Sequence, residues 1–511
     1  MPFLEIILAV VPIALILIFM LGLRWKSSRA GLVAWIAALI VAVLGFGVGG
    51  RIIWWAHVRA LFLALYVLYI IWGALLFYRV TEAAGVLDAM GTLMHRMAPT
   101  KAAQVLLLAW GLASFFQGVG GFGVPVAIVA PLMVGLGFSM VEAVVIPSLG
   151  HTWAVSFGSL GSAFIALVAT TGVPEAQLAT WSALHMGLLC LVMGLFSLWA
   201  AGGFTTVRAG GFPLLLMGLT MAGMQFVTAH FGIPNIAAMV GALAGLLVGS
   251  AWALLRFPEG RAVLRAPDLL TRALLPYGLL LTLILTARLV APLQPLLSTL
   301  VLQVPLPGLV TARGWVIEAE TTRAISIFGH TGALLIYASL ITYGWARSRG
   351  HIEKGREPEI LRKVVRSGLA STLTILSMVA IASIMDYAGM LQLLSELMAL
   401  AAGRLFPLVS PFIGALGGFV TGSNSNSNVL FGVLQRNVAE TLHYIVPLIL
   451  GAQNAGAAVG AMFSPSKVLV GCSTVELENC EAVIMRQLVR YALLSLAILA
   501  LFTWLLALVK I

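Results

Sequence analysis

Two runs of small and polar residues interrupt an otherwise apolar chain, and their types suit the binding of an anion. The first is Gln117-Gly118-Val119-Gly120-Gly121-Phe122-Gly123-Val124-Pro125. Glycine lets backbone approach a ligand closely and permits positive φ. Pro125 suits the first turn of a following half-helix. That half-helix would turn unpaired N–H groups and its positive dipole end toward the run. A glycine-rich helix-packing motif would read the same way. The second run is Thr421-Gly422-Ser423-Asn424-Ser425-Asn426-Ser427-Asn428. Non-helical polar backbone inside a bilayer is tolerated only where it lines a cavity or is buried in protein. The competing reading is an exposed aqueous loop. Hydroxyl and amide groups at this spacing offer donors to a carboxylate. The substrate-contact candidates are therefore Gly118, Gly120, Gly121, Phe122 and Gly123 in the first run, and Ser423, Asn424, Ser425, Asn426, Ser427 and Asn428 in the second.

A polar break follows each run. After the first come His151-Thr152 and then Ser156-Phe157-Gly158-Ser159; after the second come Gln453-Asn454 and then Ser464-Pro465-Ser466. Ser156, Gln453 and Asn454 join the candidate contacts. Lys467 could supply a point charge to a carboxylate, or could snorkel to the membrane surface. His151 titrates near neutral pH and could carry a coupled proton; a packed, hydrogen-bonded histidine is the alternative. Asp386 is a second proton candidate, although capping a helix end at the outer surface accounts for it better. There is no HExxH pair, no GxSxG elbow, no Walker loop and no dinucleotide fingerprint in a βαβ setting. The expectation is a protein that is not an enzyme and needs neither cofactor nor metal.

Such runs need elements that hold them in lipid. Of the 511 residues, 61% are hydrophobic and 9% charged, whereas soluble proteins carry roughly 25% charged residues. A bilayer must be the solvent for much of this chain. Apolar stretches long enough to span, about 20 residues each, fall near 4–23, 30–49, 60–79, 143–169, 179–201, 211–230, 235–255, 273–291, 323–345, 367–385, 443–463 and 487–509. The regions 103–138 and 408–436 are broken by the two runs, with arms short enough to suggest re-entrant hairpins. The fold class expected is an all-α polytopic membrane protein with about 12 spanning helices and two re-entrant hairpins.

Placing the N-terminus outside and both hairpins as re-entrant puts the basic clusters at Arg24–Arg29, Arg79–Lys101, Arg256–Arg272 and Arg347–Arg366 on the cytoplasmic side, as the positive-inside rule requires. The net charge of +11 is thereby a topology signal and does not point to nucleic acid. Met1-Pro2-Phe3-Leu4-Glu5 lacks a basic n-region, so the first stretch reads as a retained helix. Cys190, Cys472 and Cys480 have no disulfide or metal spacing. The two units, residues 1–230 and 231–511, read as halves of an inverted-repeat transporter.

The stretch from Gln117 to Ile128, with Leu136-Gly137-Phe138 and Ala154-Val155-Ser156-Phe157-Gly158, resembles the first signature of the bacterial L-lactate permease family. Phe419 to Gly432 resembles its second, and Ser464-Pro465 its Ser-Pro pair. The resemblance implies uptake of lactate or glycolate driven by protons across the bacterial inner membrane, by movement of a hairpin-bearing domain. It is compatible with a homodimer. This chain departs from the family at five places: Gln117 replaces a usual Glu, Asn424 an Asp, His151 an Asn, Ser466 a Gln, and Asp386 an Asn. These changes keep open a carrier of another anion (a dicarboxylate or an oxyanion) or one coupled to sodium. A channel ranks lower, because no continuous polar pore is evident.

Overall fold

In lipid every backbone N–H and C=O must find its partner inside the chain, which makes the helix the default spanning element. The structure is a computed structural model that describes residues 3–23, 25–121, 124–475 and 481–509. It consists almost wholly of helices. Among the described residues nine helices are long and apolar enough to cross a membrane, or up to eleven spans when each of two bent pairs counts as one. The chain is an all-α, multi-pass membrane protein.

Most expected stretches correspond to helices. The stretches near 30–49, 60–79, 235–255, 273–291, 367–385 and 487–509 match the spans Ser27–Gly45, Gly50–Ala83, Pro234–Arg256, Pro267–Ala287, Glu357–Tyr387 and Glu481–Val509. The first stretch forms the shorter helix Leu4–Met20. Those near 179–201 and 211–230 form Glu175–His230, which folds back on itself where Gly202 and Gly203 leave the helical region. Its two limbs pair antiparallel: Thr180 Oγ1 lies 3.2 Å from His230 Nδ1, and Cys190 Sγ lies 4.0 Å from Met221 Sδ.

Two details differ from expectation. The stretch at 323–345 becomes helical only at Thr331–Ser348. Ahead of it the chain forms an antiparallel β-hairpin, pairing Val301 with Ser326, Leu306 with Glu320 and Val310 with Val316. Val, Ile and Thr in this segment favour extended backbone, and Gly314 at φ 82° closes the turn. The arms around the first run are also unequal. Lys101–Val119 has 19 residues and could cross by length, whereas Val124–Gly135 has 12. At 1.5 Å per residue the latter spans about 18 Å, against roughly 30 Å of hydrocarbon. The arms around the second run are Phe406–Thr421 and Asn424–Thr441.

One order of elements occurs twice. A long helix, Gly50–Ala83, leads to a short helix, Val86–Met97, then to the first helical pair, a bent helix beginning at Met140, and the helix beginning at Glu175. Glu357–Tyr387 leads likewise to Met390–Ala402, the second pair, a bent helix beginning at Val446, and Glu481–Val509.

The two units also share a close crossing. In the second, Phe406–Thr421 packs on Val446–Met462 through Gly414 and Gly418 on one side and Gly456 and Gly460 on the other. A methyl group at any of the four would overlap a backbone carbonyl of the facing helix: Gln453, Ala457, Pro411 or Ala415. In the first, a methyl at Gly150 would overlap the Ala109 carbonyl in the same manner. Without a hydrophobic drive between helices in lipid, such backbone contact supplies much of the packing.

Candidate functional site

The helix Met140–Gly150 starts at a capping box. Ser139 Oγ accepts from Glu142 N at 3.3 Å, and Glu142 Oε2 accepts from Ser139 N at 2.9 Å. It ends where side chains bond back onto its last carbonyls. Ser148 Oγ donates to Val144 O and Thr152 Oγ1 to Ser148 O, both at 2.7 Å. His151 Nδ1 donates to Pro147 O at 2.6 Å. A carbonyl only accepts, so Nδ1 carries the proton and the neutral ring keeps Nε2 as an acceptor.

Beyond this point the chain turns. Ser159, Leu160 and Gly161 have φ of 47°, 53° and 78° before the helix resumes toward Thr171, and the two parts make an angle of 52°. Left-handed non-glycine residues are strained, and such strain clusters at functional sites. Neighbours hold the turn in place: Ser159 Oγ donates to Gly120 O at 3.3 Å, and Phe164 N to Ser156 O at 3.1 Å.

The second run closes on this turn. Thr421 ends one arm, with Gly422 at φ 68° as its left-handed cap. Ser423 then caps Asn424–Thr441, its Oγ accepting from Asn426 N at 3.3 Å. Asn424 Nδ2 donates to Ser156 Oγ at 3.1 Å and to Asn454 O at 3.3 Å. Asn428 Nδ2 donates to Ala163 O at 3.0 Å and to Asn454 Oδ1 at 2.9 Å. Gln453 Nε2 donates to Ser427 Oγ at 3.1 Å, and its Oε1 accepts from Gln435 Nε2. Asn454 Nδ2 reaches Ser182 Oγ at 3.4 Å. The turn after His151-Thr152, the pair Gln453-Asn454 and the second run thus meet in one buried polar network; Gln453-Asn454, expected as a break, lies inside the continuous helix Val446–Met462, and the bend comes after Met462.

This sorts the expected contacts into two groups. Ser427, Asn428, Gln453 and Asn454 are fully buried and spend their donors on one another, on backbone and on the Ser182 hydroxyl. They brace the site. Among the described residues, the donors still uncommitted lie at the tip: the Asn426 side-chain amide, the Ser423 and Ser425 hydroxyls, and the backbone N–H groups of Asn424 and Ser425. The Ser464-Pro465-Ser466 corner abuts this tip, since a methyl at Gly422 would overlap Ser466 Oγ. Pro465 opens the helix Pro465–Thr474, which bends 44° from Val446–Met462. Lys467 sits in its first turn, half-buried and within electrostatic reach of His151. Among the described residues no carboxylate pairs with it.

Four expected site residues take other roles. A methyl at Gly118 would sit 2.8 Å from the Met239 backbone, so this glycine serves helix packing. Gly120 and Gly121 form the turn itself, Gly121 at φ 59° against Ser159. Asp386 pairs with Arg59 Nη1 at 3.3 Å, and Arg59 Nε pairs with Glu320 Oε1 at 2.8 Å. That cluster ties the two long helices to the β-hairpin, and Asp386 has no contact with the runs through it. Phe122 and Gly123 lie outside the described residues.

Sequence reading also missed groups that position the site. Gln435 and Ser410 lock the arms of the second pair, Gln435 Nε2 donating to Ser410 O at 3.1 Å. Arg436 Nη1 donates to Thr171 O at 2.8 Å and so caps the bent helix of the first unit. The polar run Asn424–Asn428 extended by Gln435 at helical spacing was the available signal for the former; nothing local signalled the latter.

Comparison with known proteins gives a consistent result. The family model for L-lactate permease matches residues 5–510. The glycolate permease GlcA of Escherichia coli (strain K12) is 25% identical over 98% of this chain and 95% of its own length. The L-lactate permease of Streptococcus iniae is 27% identical over 86% of this chain and 92% of its own. Among solved structures, that of the Alcanivorax borkumensis YdaH transporter aligns at 15% identity and a TM-score of 0.46, covering 87% of this chain and 85% of its own.

Proposed function

The chain belongs to the L-lactate permease family, and from that premise we propose that it carries L-lactate, or a similar short 2-hydroxy-monocarboxylate such as glycolate, across the bacterial inner membrane by proton symport. The observation that carries this reading is the junction of Asn424, Ser156 and Asn454. It brings the second run, the turn of the first bent helix and the middle of Val446–Met462 together inside a membrane-embedded body. Ionisable and polar groups in that setting are expensive and usually functional.

The substrate carboxylate faces Lys467, the Ser423 and Ser425 hydroxyls, the Asn426 amide and the backbone N–H groups of Asn424 and Ser425. Those N–H groups add the favourable end of the helix dipole. His151 Nε2 is the proton acceptor beside them. The repeated order of elements supports a repeat, which we read as inverted with both helical pairs re-entrant, and the distribution of basic clusters supports an N-terminus outside. Access alternates as the hairpin-bearing part moves against the long helices Gly50–Ala83 and Glu357–Tyr387.

Uptake of labelled L-lactate into proteoliposomes containing the purified protein tests this. An inward proton gradient is expected to accelerate uptake, and a sodium gradient at constant pH to leave it unchanged. Absence of uptake under every gradient would end the lactate reading. Dependence on sodium alone would transfer the coupling to sodium. One observation favours a second reading: among the described residues Lys467 lacks a paired carboxylate, and Gln117 and Asn424 are neutral. Such a site tolerates a more negative anion, a dicarboxylate or an oxyanion. Greater thermal stabilisation by one of these than by lactate would select it.

A further inference from the structure

Two buried oxygen atoms near the turn lack a donor among the described residues. Asn424 is 3% exposed and Gln117 4%. Neither Asn424 Oδ1 nor Gln117 Oε1 has a hydrogen-bond donor among the described residues. Buried polar atoms are seldom left so, and an exception calls for a partner from outside the protein.

The placement of the Asn424 oxygen follows from its neighbours. Its Nδ2 faces Asn454 O at 3.3 Å and Ser156 Oγ at 3.1 Å. A backbone carbonyl cannot donate, so the group facing it must be the NH2, and the oxygen is what remains. Asn424 was expected to donate to the substrate; its donors are already spent, and what it offers is an acceptor. The Gln117 amide bears on the same short turn two residues further along. A methyl at Gly158 would sit 2.7 Å from Gln117 Nε2. The two amides thus come from the two different runs and turn their nitrogens toward one segment, Ser156–Gly158, which leaves both oxygens bare beside the same turn.

We propose that Asn424 and Gln117 read a hydroxyl on the substrate, each offering an amide oxygen to its proton, and thereby select hydroxy acids over keto acids and unsubstituted acids. This rests on the reading that the tips hold the substrate. A carboxylate has no donor to give these oxygens. The hydroxyl of a 2-hydroxy acid is the group that has one. A keto oxygen in its place would set a third lone-pair surface against two acceptors, and a bare methylene would leave both unsatisfied after water is displaced. Sites that hydrogen-bond a substrate hydroxyl discriminate strongly against analogues lacking it.

The test is a competition panel in matched pairs. Unlabelled L-lactate is compared with propionate and pyruvate, and malate with succinate, first as inhibitors of labelled L-lactate uptake and then by thermal stabilisation of the purified protein. Each hydroxy acid is expected to outcompete its partner by about tenfold or more. Gln117→Met keeps the size of the side chain and leaves the Asn424 bonds intact. It is expected to narrow the gap severalfold without loss of folded protein. Preference for malate over succinate without lactate uptake would remove the lactate reading and keep this one. Equal potency within each pair, or an unchanged gap in Gln117→Met, would overturn it.

Discussion

Lys467→Met is expected to abolish uptake while the protein still inserts and folds. Lys467 lies in the first turn after the Ser464-Pro465-Ser466 corner, beside the tip of the second run, and has no paired carboxylate among the described residues. On the proposed reading, the substrate carboxylate supplies its counter-charge. Removing one member of a desolvated charge pair costs about 2–5 kcal/mol, which corresponds to roughly 30-fold to several-thousand-fold in uptake. Methionine preserves length and apolar bulk, so insertion is unaffected. Lys467→Arg keeps the charge in a different shape and is expected to retain part of the activity. A residue that merely snorkels would behave differently: Lys467→Met would then transport normally. The readout is initial uptake rate in proteoliposomes, normalised to protein that elutes as a single species.

Gly456→Leu is expected to have the largest effect on stability. Its added Cβ would overlap the Pro411 carbonyl. The obstacle is backbone, so no rotamer change relieves it. The helices Phe406–Thr421 and Val446–Met462 must separate, and Gly414, Gly418 and Gly460 lose their close contact at once. Overpacking in a tight core costs about 1–3 kcal/mol, sometimes more; contact of four glycines with facing backbone places this case at the upper end. Thermal unfolding in detergent reads the loss directly. Gly223→Ala is the control, since a methyl there meets nothing within 4 Å. An unchanged melting temperature for Gly456→Leu would mean that the crossing is not a principal packing element.

The sequence made the spans legible because apolar length is a direct consequence of bilayer thickness. It made the second run legible because Ser423 to Asn428 could not lie unsupported in lipid. The glycine crossing was open to reading as well: Gly414 and Gly418, and Gly456 and Gly460, have the four-residue spacing of close-packed membrane helices. The β-hairpin carried signals in Val301, Val310, Val316 and Ile317, which a count of apolar residues absorbs into the following span. Other features had no local signature. Ser159 and Leu160 are not residues that announce a left-handed turn. Arg59 and Asp386 meet across a separation that no pattern encodes, so Asp386 looked like a possible proton site although its charge is taken up by an ion pair. The orientation of the Asn424 amide depends on Asn454, which lies in another element. Sequence could place an amide at the tip but could not tell which of its ends is left without a partner.

Substrate protection at the tip is the most direct test of where transport occurs. Asn426→Cys, in a background with Cys190, Cys472 and Cys480 replaced by Ser, is treated with a membrane-impermeant thiol reagent in proteoliposomes, with increasing L-lactate present. Labelling should be slow, and L-lactate should slow it further with a half-effect near the concentration that half-saturates uptake in the same background with Asn426 intact. Rapid labelling indifferent to L-lactate, in protein whose background transports normally, would place Asn426 in open water and the substrate path somewhere else.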